Sequence, residues 1–263
     1  MSKEIESAKL LKKQHDERGN FQALPEHLTP VDDKEAYAIQ DCLFDIRKAE
    51  HGDVAGYKVA LTSEVMQTML RYPSPFSGPL HKKLIYQSPK TLRSSDYGRL
   101  CIECELAAVV GGDIKLKDTP YSAQEIESYV SAIAPALEIV DDRNADYQSI
   151  TQLVRTLIAD NAWNAGVVVG DLKTNWRDVD IRSMCGTVSI SGIETGVGFG
   201  RDVLGDPMNA LAWLANSITS RGKTIEEGMI IMTGTMIKTQ FVDPGDILEF
   251  NIPELGSVTA KID

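Results

Sequence analysis

The sequence has little positive charge, few cysteines and no long apolar segment. Its 263 residues contain 27 Lys and Arg against 38 Asp and Glu, a formal net charge of −11 at pH 7. Nucleic acids and anionic membranes attract basic surfaces, so this balance argues against either as a partner. No apolar run approaches the roughly 18 residues of a transmembrane helix. Four cysteines and a polar, amphipathic start unlike a secretory signal predict a cytoplasmic protein.

Cysteine and histidine are too sparse for a zinc site. Cys101 and Cys104 form a CxxC motif, but no second CxxC or CxxH completes a ligand set. In a strand, residues two apart point to the same face, so these two cysteines are predicted on opposite faces. The four histidines lack metal-ligand spacing, and His81 alone is kept as a candidate because it follows a proline-rich segment. These patterns argue against zinc or thiol redox chemistry.

The order of the predicted elements indicates an α+β protein. Apolar residues recur at helical spacing up to about residue 50, which predicts an N-terminal helical region over residues 1–52. Residues 53–263 are predicted as one strand-rich core with a helix that begins after Asp206 as its N-cap. Residues 71–80 contain three prolines and are predicted as a loop. A second core helix is predicted to run up to about Ile133, before a strand.

Three glutamates stand in apolar surroundings. Glu103 and Glu105 alternate with apolar residues in LCIECELAAVV, so a strand places their side chains on one face. Glu138 lies in the apolar run APALEIV. Like charges on a half-buried face repel each other unless a cation lies between them, and carboxylates without imidazole or thiolate suit Mg²⁺ or Mn²⁺. The residues alone leave two alternatives open: a metal site, or solvated or salt-bridged glutamates.

Several segments, by their order and spacing together, resemble a known family. They are GYKVALTSEVMQ (56–67), ECELAAVV (103–110), PALEIVDDR (135–143), ADNAWNAGVVVG (159–170), VLGDPMNALAWLAN (203–216), IIMTGTM (230–236), PGDILEF (244–250) and LGSV (255–258). Over nearly its whole length the chain resembles the branch of the fumarylacetoacetate hydrolase superfamily that contains the 2-keto-4-pentenoate hydratases and the 4-oxalocrotonate decarboxylases. The resemblance implies a mixed β-sandwich roll with a small N-terminal helical part, and a homo-oligomer.

The resemblance also implies roles for individual residues. The implied ligands of Mg²⁺ or Mn²⁺ are Glu103, Glu105 and Glu138. Lys58, in GYK, would be the active-site lysine, which pairs with the carboxylate of a small anionic 2-oxo or 2-hydroxy acid or moves a proton. The residues implied to lie near the substrate are Asn161, Trp163, Thr235 and Ser257.

The implied activity is that of a metal-dependent lyase, a hydratase of a small 2-hydroxy-dienoic or 2-oxo acid such as 2-hydroxypenta-2,4-dienoate. Two departures from the family pattern keep alternatives open. Residues 71–80 lack the acidic residue that family hydratases usually carry there, and Trp163 replaces a serine, which predicts a smaller pocket. The alternatives are decarboxylation of a 2-oxo-enedioate such as 4-oxalocrotonate, which needs less help from a base, and a non-catalytic subunit that binds metal and stabilises a partner enzyme.

Overall fold

The chain folds into helices and two mixed β-sheets, as seen in a computed structural model that describes residues 2–147 and 149–263. The α-helices in these residues are α1 (Lys3–Glu17), α2 (Asp33–His51), α3 (Glu64–Leu70), α4 (Ala123–Ile126), α5 (Val154–Ala159) and α6 (Pro207–Ser220). The strands are β1 (Val54–Ala60), β2 (Phe76–His81), β3 (Ile85–Gln87), β4 (Lys90–Leu92), β5 (Leu100–Val110), β6 (Val130–Asp141), β7 (Asn164–Val169), β8 (Cys185–Ile190), β9 (Ile193–Phe199), β10 (Ile230–Thr235), β11 (Gln240–Phe241), β12 (Ile247–Ile252) and β13 (Gly256–Ile262). No helix in the described ranges is long and apolar enough to cross a membrane.

The two sheets contain both parallel and antiparallel pairs. The larger sheet has the order β2-β1-β10-β5-β6-β7-β3, with β11 paired to one end of β5. In it, β1 runs parallel to β10 and β3 parallel to β7, and the other pairs are antiparallel. The smaller sheet has the order β4-β13-β12-β8-β9. Mixed sheets with separate helices confirm the predicted α+β class.

The main hydrophobic core lies between one face of the larger sheet, the smaller sheet and α6. Its members include Ile102, Cys104 and Leu106 from β5, Val188, Phe250 and Val258 from the smaller sheet, and Leu211, Leu214 and Ile218 from α6. Helix α6 begins as predicted, because the Asp206 side chain accepts a hydrogen bond of 2.8 Å from the Met208 N–H. Cys101 lies in a different cluster, as strand alternation predicts for residues 101 and 104.

The opposite face of the larger sheet is apolar at both ends. At one end, Ala107, Ala136 and Val167 belong to an aliphatic cluster. At the other end, Cys101, Val140, Phe76 and Trp163 belong to a second cluster with residues of α2 and α5, called here the aromatic cluster. Alternation along β5 and β6 places the three glutamates between these two ends, so the polar residues lie in the middle of an otherwise apolar face.

Two segments differ from their predictions. Residues 76–80 of the predicted loop belong to β2 (Phe76–His81), in which every residue is buried. The proline there is tolerated because β2 is an edge strand, where one side needs no backbone donor.

The helix predicted up to about Ile133 is also wrong. Helix α4 ends at Ile126, a short 3₁₀ turn covers Glu127–Tyr129, and β6 begins at Val130. Because β6 pairs with β5 along its length and with β7 over its C-terminal half, tertiary pairing overrides the local helical spacing.

The N-terminal helices pack on the aromatic end of the sheet. Residues of α1 and α2, among them Leu11 and Ile39, form a cluster with Ala159 of α5. The predicted boundary between residues 52 and 53 falls between α2 and β1. The division into a helical region and a core stays a prediction.

Candidate metal centre and active site

Three glutamates from two neighbouring strands meet on one face of the larger sheet. Glu103 and Glu105 project from β5, and Glu138 of β6 is directly opposite Glu103 in the antiparallel register. One carboxylate oxygen of each residue lies within 4.8 Å of the corresponding oxygens of the other two. Glu105 and Glu138 are 0% and 1% exposed, whereas Glu103 is partly exposed. Glu105 and Glu138 are therefore not solvated, whereas solvent reaches the cluster on the side of Glu103.

Each of the three carboxylates accepts one hydrogen bond from a protein group outside β5. The pairs are Thr239 Oγ1 to Glu103 Oε1 (2.8 Å), the Gly234 N–H to Glu105 Oε2 (2.8 Å) and Asn164 Nδ2 to Glu138 Oε1 (2.9 Å). These donors fix the orientation of the carboxylates and occupy only one oxygen of each.

Two other carboxylate oxygens of the cluster have no hydrogen-bond partner among the residues that the structure describes. Glu105 Oε1 and Glu138 Oε2 are buried and accept no hydrogen bond from any described residue. A buried polar atom without a partner is destabilising, and more so when it carries charge. A divalent cation bound by these oxygens would remove that penalty. The all-oxygen donor set suits a hard cation such as Mg²⁺, Mn²⁺ or Ca²⁺, so the residues fit a divalent metal.

The electrostatics of the cluster favour a bound cation. Burial raises the pKa of Glu105 well above its usual range, and the charges of Glu138 and Glu103 raise it further. The pKa of Glu103 is raised by burial and by Glu138, while Lys58 and the hydrogen bond from Thr239 act in the opposite direction. A dication between the carboxylates would offset the effects of burial and of charge repulsion on these pKa values, because it favours the ionised form of each carboxylate.

Lys58 lies beside the cluster. It is in β1, opposite Met232 of β10, and its side chain is 3% exposed. Its Nζ is 3.1 Å from Glu138 Oε1, which forms a buried ion pair. The chain thus places one positively charged donor at the edge of the three carboxylates. Its role as the active-site lysine stays a prediction, and this position agrees with it.

Strand β10 has an irregularity that points a backbone N–H at Glu105. The register between β10 and β5 shifts between Met232 and Thr235, and Gly234 in between has φ +107°. A Cβ at position 234 would lie 2.2 Å from Thr62 Oγ1, so only glycine fits here. The Gly234 N–H is therefore held in place by the packing of Thr62.

Comparisons with known proteins agree with this geometry. Residues 61–263 match the family described as "Fumarylacetoacetate (FAA) hydrolase C-terminal". The chain belongs to the fumarylacetoacetate hydrolase family. It is 33% identical to the 2-keto-4-pentenoate hydratase of Paraburkholderia xenovorans (strain LB400) over 233 residues. This alignment covers 89% of this chain and 84% of the relative. It is 29% identical to the 4-oxalocrotonate decarboxylase of Pseudomonas putida, over 94% of each chain. Family membership identifies the chain as an enzyme.

A solved structure shares the fold over almost the whole chain. The 4-oxalocrotonate decarboxylase from Pseudomonas putida G7, complexed with magnesium and adipate, superposes with a TM-score of 0.89. The match covers 99% of this chain and 97% of the other, at 22% sequence identity. At this identity the likeness concerns the fold.

In this member of the family, the segment Asn161–Trp163 forms a left-handed turn before β7. The φ angles of Asn161, Ala162 and Trp163 are +53°, +44° and +61°. Asn161 Nδ2 donates to the Pro79 carbonyl (2.9 Å), and a Cβ at Gly78 would lie 1.5 Å from Asn161 Oδ1. Asn161 therefore connects the segment before β7 to β2, which lies at one end of the sheet order. Its predicted contact with substrate stays a prediction, and the described contacts give it a role in joining two strands.

Trp163 is packed among aromatic side chains. Its ring makes T-shaped contacts with Phe21 (5.3 Å between centroids) and Tyr147 (6.2 Å), and the residue is 7% exposed. The indole Nε1–H is buried and donates to no described residue. The large ring fills space at the aromatic end of the sheet face. This agrees with a pocket smaller than one bordered by serine.

Thr235 and Ser257 are placed differently by the structure. Thr235 is opposite Glu105, and its Oγ1 lies 2.5 Å from the Ile237 carbonyl and 3.3 Å from the Cys104 carbonyl. Ser257 is exposed on β13 of the smaller sheet, opposite Asn251. Thr235 is thus brought to the cluster, whereas no described contact links Ser257 to it. Contact of either residue with substrate stays a prediction.

His81 belongs to the packing under α2. Its ring stacks on Phe44 (centroids 3.9 Å apart, interplanar angle 4°), and its Nδ1 lies 3.0 Å from the Gly52 carbonyl. Burial lowers the pKa of His81 to about 4. The histidine retained as a candidate is therefore a neutral, stacked residue at neutral pH.

Three groups of the site were missed by sequence reasoning. They are the Asn164 side chain, the Gly234 N–H and the Thr239 hydroxyl, each of which binds one glutamate. Asn164 and Gly234 lie inside segments that carry the family resemblance. No local pattern marks Thr239, because it lies beyond the end of β10.

Proposed function

We propose that this enzyme is a divalent-metal-dependent hydro-lyase that acts on a small 2-hydroxy-dienoic or 2-oxo acid such as 2-hydroxypenta-2,4-dienoate. The observation that carries the proposal is the cluster of Glu103, Glu105 and Glu138, with two buried oxygens that lack partners among the described residues. The hydratase among the relatives, similar over 89% of this chain, supports the choice of reaction.

The proposed cofactor is Mg²⁺ or Mn²⁺, held by the three glutamates. When bound, such an ion supplies Lewis-acid polarisation of the carboxylate and 2-oxo group of the substrate. Solved structures of the fold contain divalent ions: the Pseudomonas putida G7 decarboxylase is complexed with calcium or magnesium. Asn164, Gly234 and Thr239 would keep the carboxylates oriented for the metal.

The proposed role of Lys58 is to bind the substrate carboxylate or to move a proton at Nζ. Its side chain is almost fully buried, so water would screen little of the attraction between its ammonium group and a substrate anion. The aromatic cluster bounds one end of the sheet face, so Phe76 and Trp163 would restrict the substrate to a short tail.

The second candidate is decarboxylation of a 2-oxo-enedioate such as 4-oxalocrotonate. The observation that favours it is the lack of a carboxylate in the strand next to Lys58. This strand is β2, which pairs with β1 so that Gly78 is opposite Lys58. Residues 71–80 contain no carboxylate, and Phe76 is buried in the aromatic cluster. Loss of CO₂ depends less on a protein base than water addition does.

Further features are proposed on the same basis. We propose that the two sheets form the mixed β-sandwich roll of the family, with residues 1–52 as a small helical region. We also propose a cytoplasmic homo-oligomer.

An ultraviolet assay of the purified protein tests the function. The assay follows the loss of the conjugated chromophore of 2-hydroxypenta-2,4-dienoate or of 4-oxalocrotonate. Each substrate is tested with Mg²⁺ or Mn²⁺, with a chelator, and with the Glu105→Gln variant. Metal-dependent loss of the dienoate that disappears in the variant, with a 4-hydroxy-2-oxo acid as product, supports the hydratase. Release of CO₂ from 4-oxalocrotonate alone would replace it with the decarboxylase. Absence of both, in protein that still binds metal, would favour a non-catalytic subunit.

A further inference from the structure

A buried charge network lies beyond the paired ends of β6 and β7 and has no part in the mechanism proposed above. Asp160 precedes the left-handed turn before β7, and its side chain is 0% exposed. Its Oδ1 lies 2.6 Å from His15 Nε2 of α1, and its Oδ2 accepts a hydrogen bond from Arg143, which is also buried. Both oxygens of one carboxylate are therefore held by groups from distant parts of the chain.

The stability of the fold explains this network poorly. Arg143 Nε and Nη1 are buried and have no hydrogen-bond partner within residues 2–147 and 149–263. The attraction within a buried ion pair is largely offset by the loss of hydration, and apolar side chains of similar volume often stabilise a protein as well. Burial alone would raise the pKa of Asp160, yet Arg143 and His15 hold this pKa below its usual value, so the carboxylate stays ionised.

The backbone on both sides of the ion pair is strained. Residues 161–163 have positive φ angles, as do Arg143 (+49°) and Asn144 (+55°). Such conformations are unfavourable for residues with a side chain and persist only where surrounding contacts impose them. The ion pair joins the two strained segments, and the Asp160 carbonyl accepts a hydrogen bond of 3.2 Å from the Trp163 N–H. Asp160 is thus placed to impose the turn.

The turn leads directly to a residue that binds a glutamate of the cluster. Asn164 is opposite Val140 in the ladder of β6 and β7, and the register shifts between Ile139 and Val140. The Asn164 amide nevertheless donates to Glu138 Oε1 (2.9 Å), and this oxygen also lies 3.1 Å from Lys58 Nζ. Because Asn164 follows the turn without an intervening residue, release of the turn would move its amide away from Glu138.

We propose that Asp160 is a positioning residue of the metal centre. Held by Arg143 and His15, it keeps the Asn164 amide on Glu138 Oε1, so that Glu138 Oε2 stays available to the metal. This role rests on the proposed metal-dependent function, because Glu138 is taken as a metal ligand. Helix α1 thereby contributes to the order of the metal centre through His15.

Calorimetric titration of Mn²⁺ into protein freed of metal tests this role without substrate. Asn164→Ala should weaken Mn²⁺ binding about 10- to 100-fold, as loss of a hydrogen bond to a metal ligand does. Asp160→Asn with Arg143→Met removes both charges of the pair and should weaken binding about tenfold. Addition of Asn164→Ala to this double variant should give no more than the effect of Asn164→Ala alone. Asp16→Asn with Lys12→Met, which removes an ion pair on the surface of α1, is the matched control and should bind Mn²⁺ normally.

His15 gives a milder test, because it lies at the edge of the network with 11% of its side chain exposed. His15→Leu should weaken Mn²⁺ binding severalfold. His15→Gln, whose amide can still donate to Asp160, should restore it. These variants decide the question if the double variant does not fold. In metal-free protein, the side-chain amide resonance of Asn164, identified by its absence in Asn164→Ala, should shift in the double variant and in His15→Leu.

Several outcomes would overturn the role of Asp160. Additive weakening on combination with Asn164→Ala would do so, as would unchanged Mn²⁺ affinity in the folded double variant and in His15→Leu. Lower stability with unchanged Mn²⁺ affinity and an unshifted Asn164 resonance would make the ion pair purely structural. If the wild type itself binds no Mn²⁺, the proposed function fails, and the Asn164 resonance alone then decides whether Asp160 holds the amide.

Discussion

Divalent metal should stabilise this protein strongly, and Glu105→Gln should abolish the effect. A ligand that binds only the folded state adds about 2.7 kcal/mol when its concentration is one hundred times Kd. For a chain of this length each kcal/mol raises Tm by roughly 2–4 °C, so saturating Mn²⁺ should raise Tm by about 5–10 °C. The amide oxygen that Glu105→Gln introduces can still accept the Gly234 N–H, so folding is expected to persist.

Differential scanning calorimetry with chelator and with Mn²⁺ measures the effect. Metal-free Glu105→Gln should be at least as stable as the metal-free wild type, because one of three repelling charges is gone. Glu249→Gln, on an exposed position of β12, removes the same charge elsewhere and should keep the full metal response. An equal rise of Tm in Glu105→Gln, or no rise in the wild type, would contradict metal binding at the three glutamates.

Three further predictions concern single side chains. Lys58→Met should lower kcat about 100-fold or more without weakening Mn²⁺ binding, since it removes a positive charge beside the metal; steady-state kinetics and metal titration check this. Trp163→Ser should lower the free energy of unfolding by about 3–5 kcal/mol through loss of aromatic packing, as urea denaturation would show. Burial lowers the pKa of His81 from 6.5 to about 4, so as pH falls His81 gains a proton in the unfolded chain before it does in the folded protein. The free energy of unfolding should therefore drop by up to about 3 kcal/mol as pH falls from the higher to the lower of these two values. His81→Gln should make the drop smaller, which urea denaturation at several pH values would show.

Local patterns in the sequence predicted the parts of the fold that depend on local interactions. The strand period of two placed Glu103 and Glu105 on one face, and the structure confirms it. The cap at Asp206 lies next to the helix that it stabilises, so its start was predictable. In β2, by contrast, prolines suggested a loop, and only pairing with β1 makes the segment a strand.

The site could be predicted only in part. The glutamates are recognisable because they interrupt apolar strands, but the register that places Glu138 opposite Glu103 is a long-range property. Thr239 lies 136 positions from the Glu103 that it binds, and Gly234 lies 129 positions from Glu105. Donors at such separations have no signature in a single sequence, because the chain fold alone brings them together.

Anomalous diffraction from crystals grown with Mn²⁺, recorded at the manganese edge, tests directly whether the three glutamates bind a metal ion. One strong anomalous peak per chain is expected, coordinated by carboxylate oxygens of Glu103, Glu105 and Glu138. Bonds of about 2.0–2.3 Å to these oxygens are expected for such an ion. A peak at another site, or no peak at the three glutamates in metal-saturated crystals, would contradict this expectation.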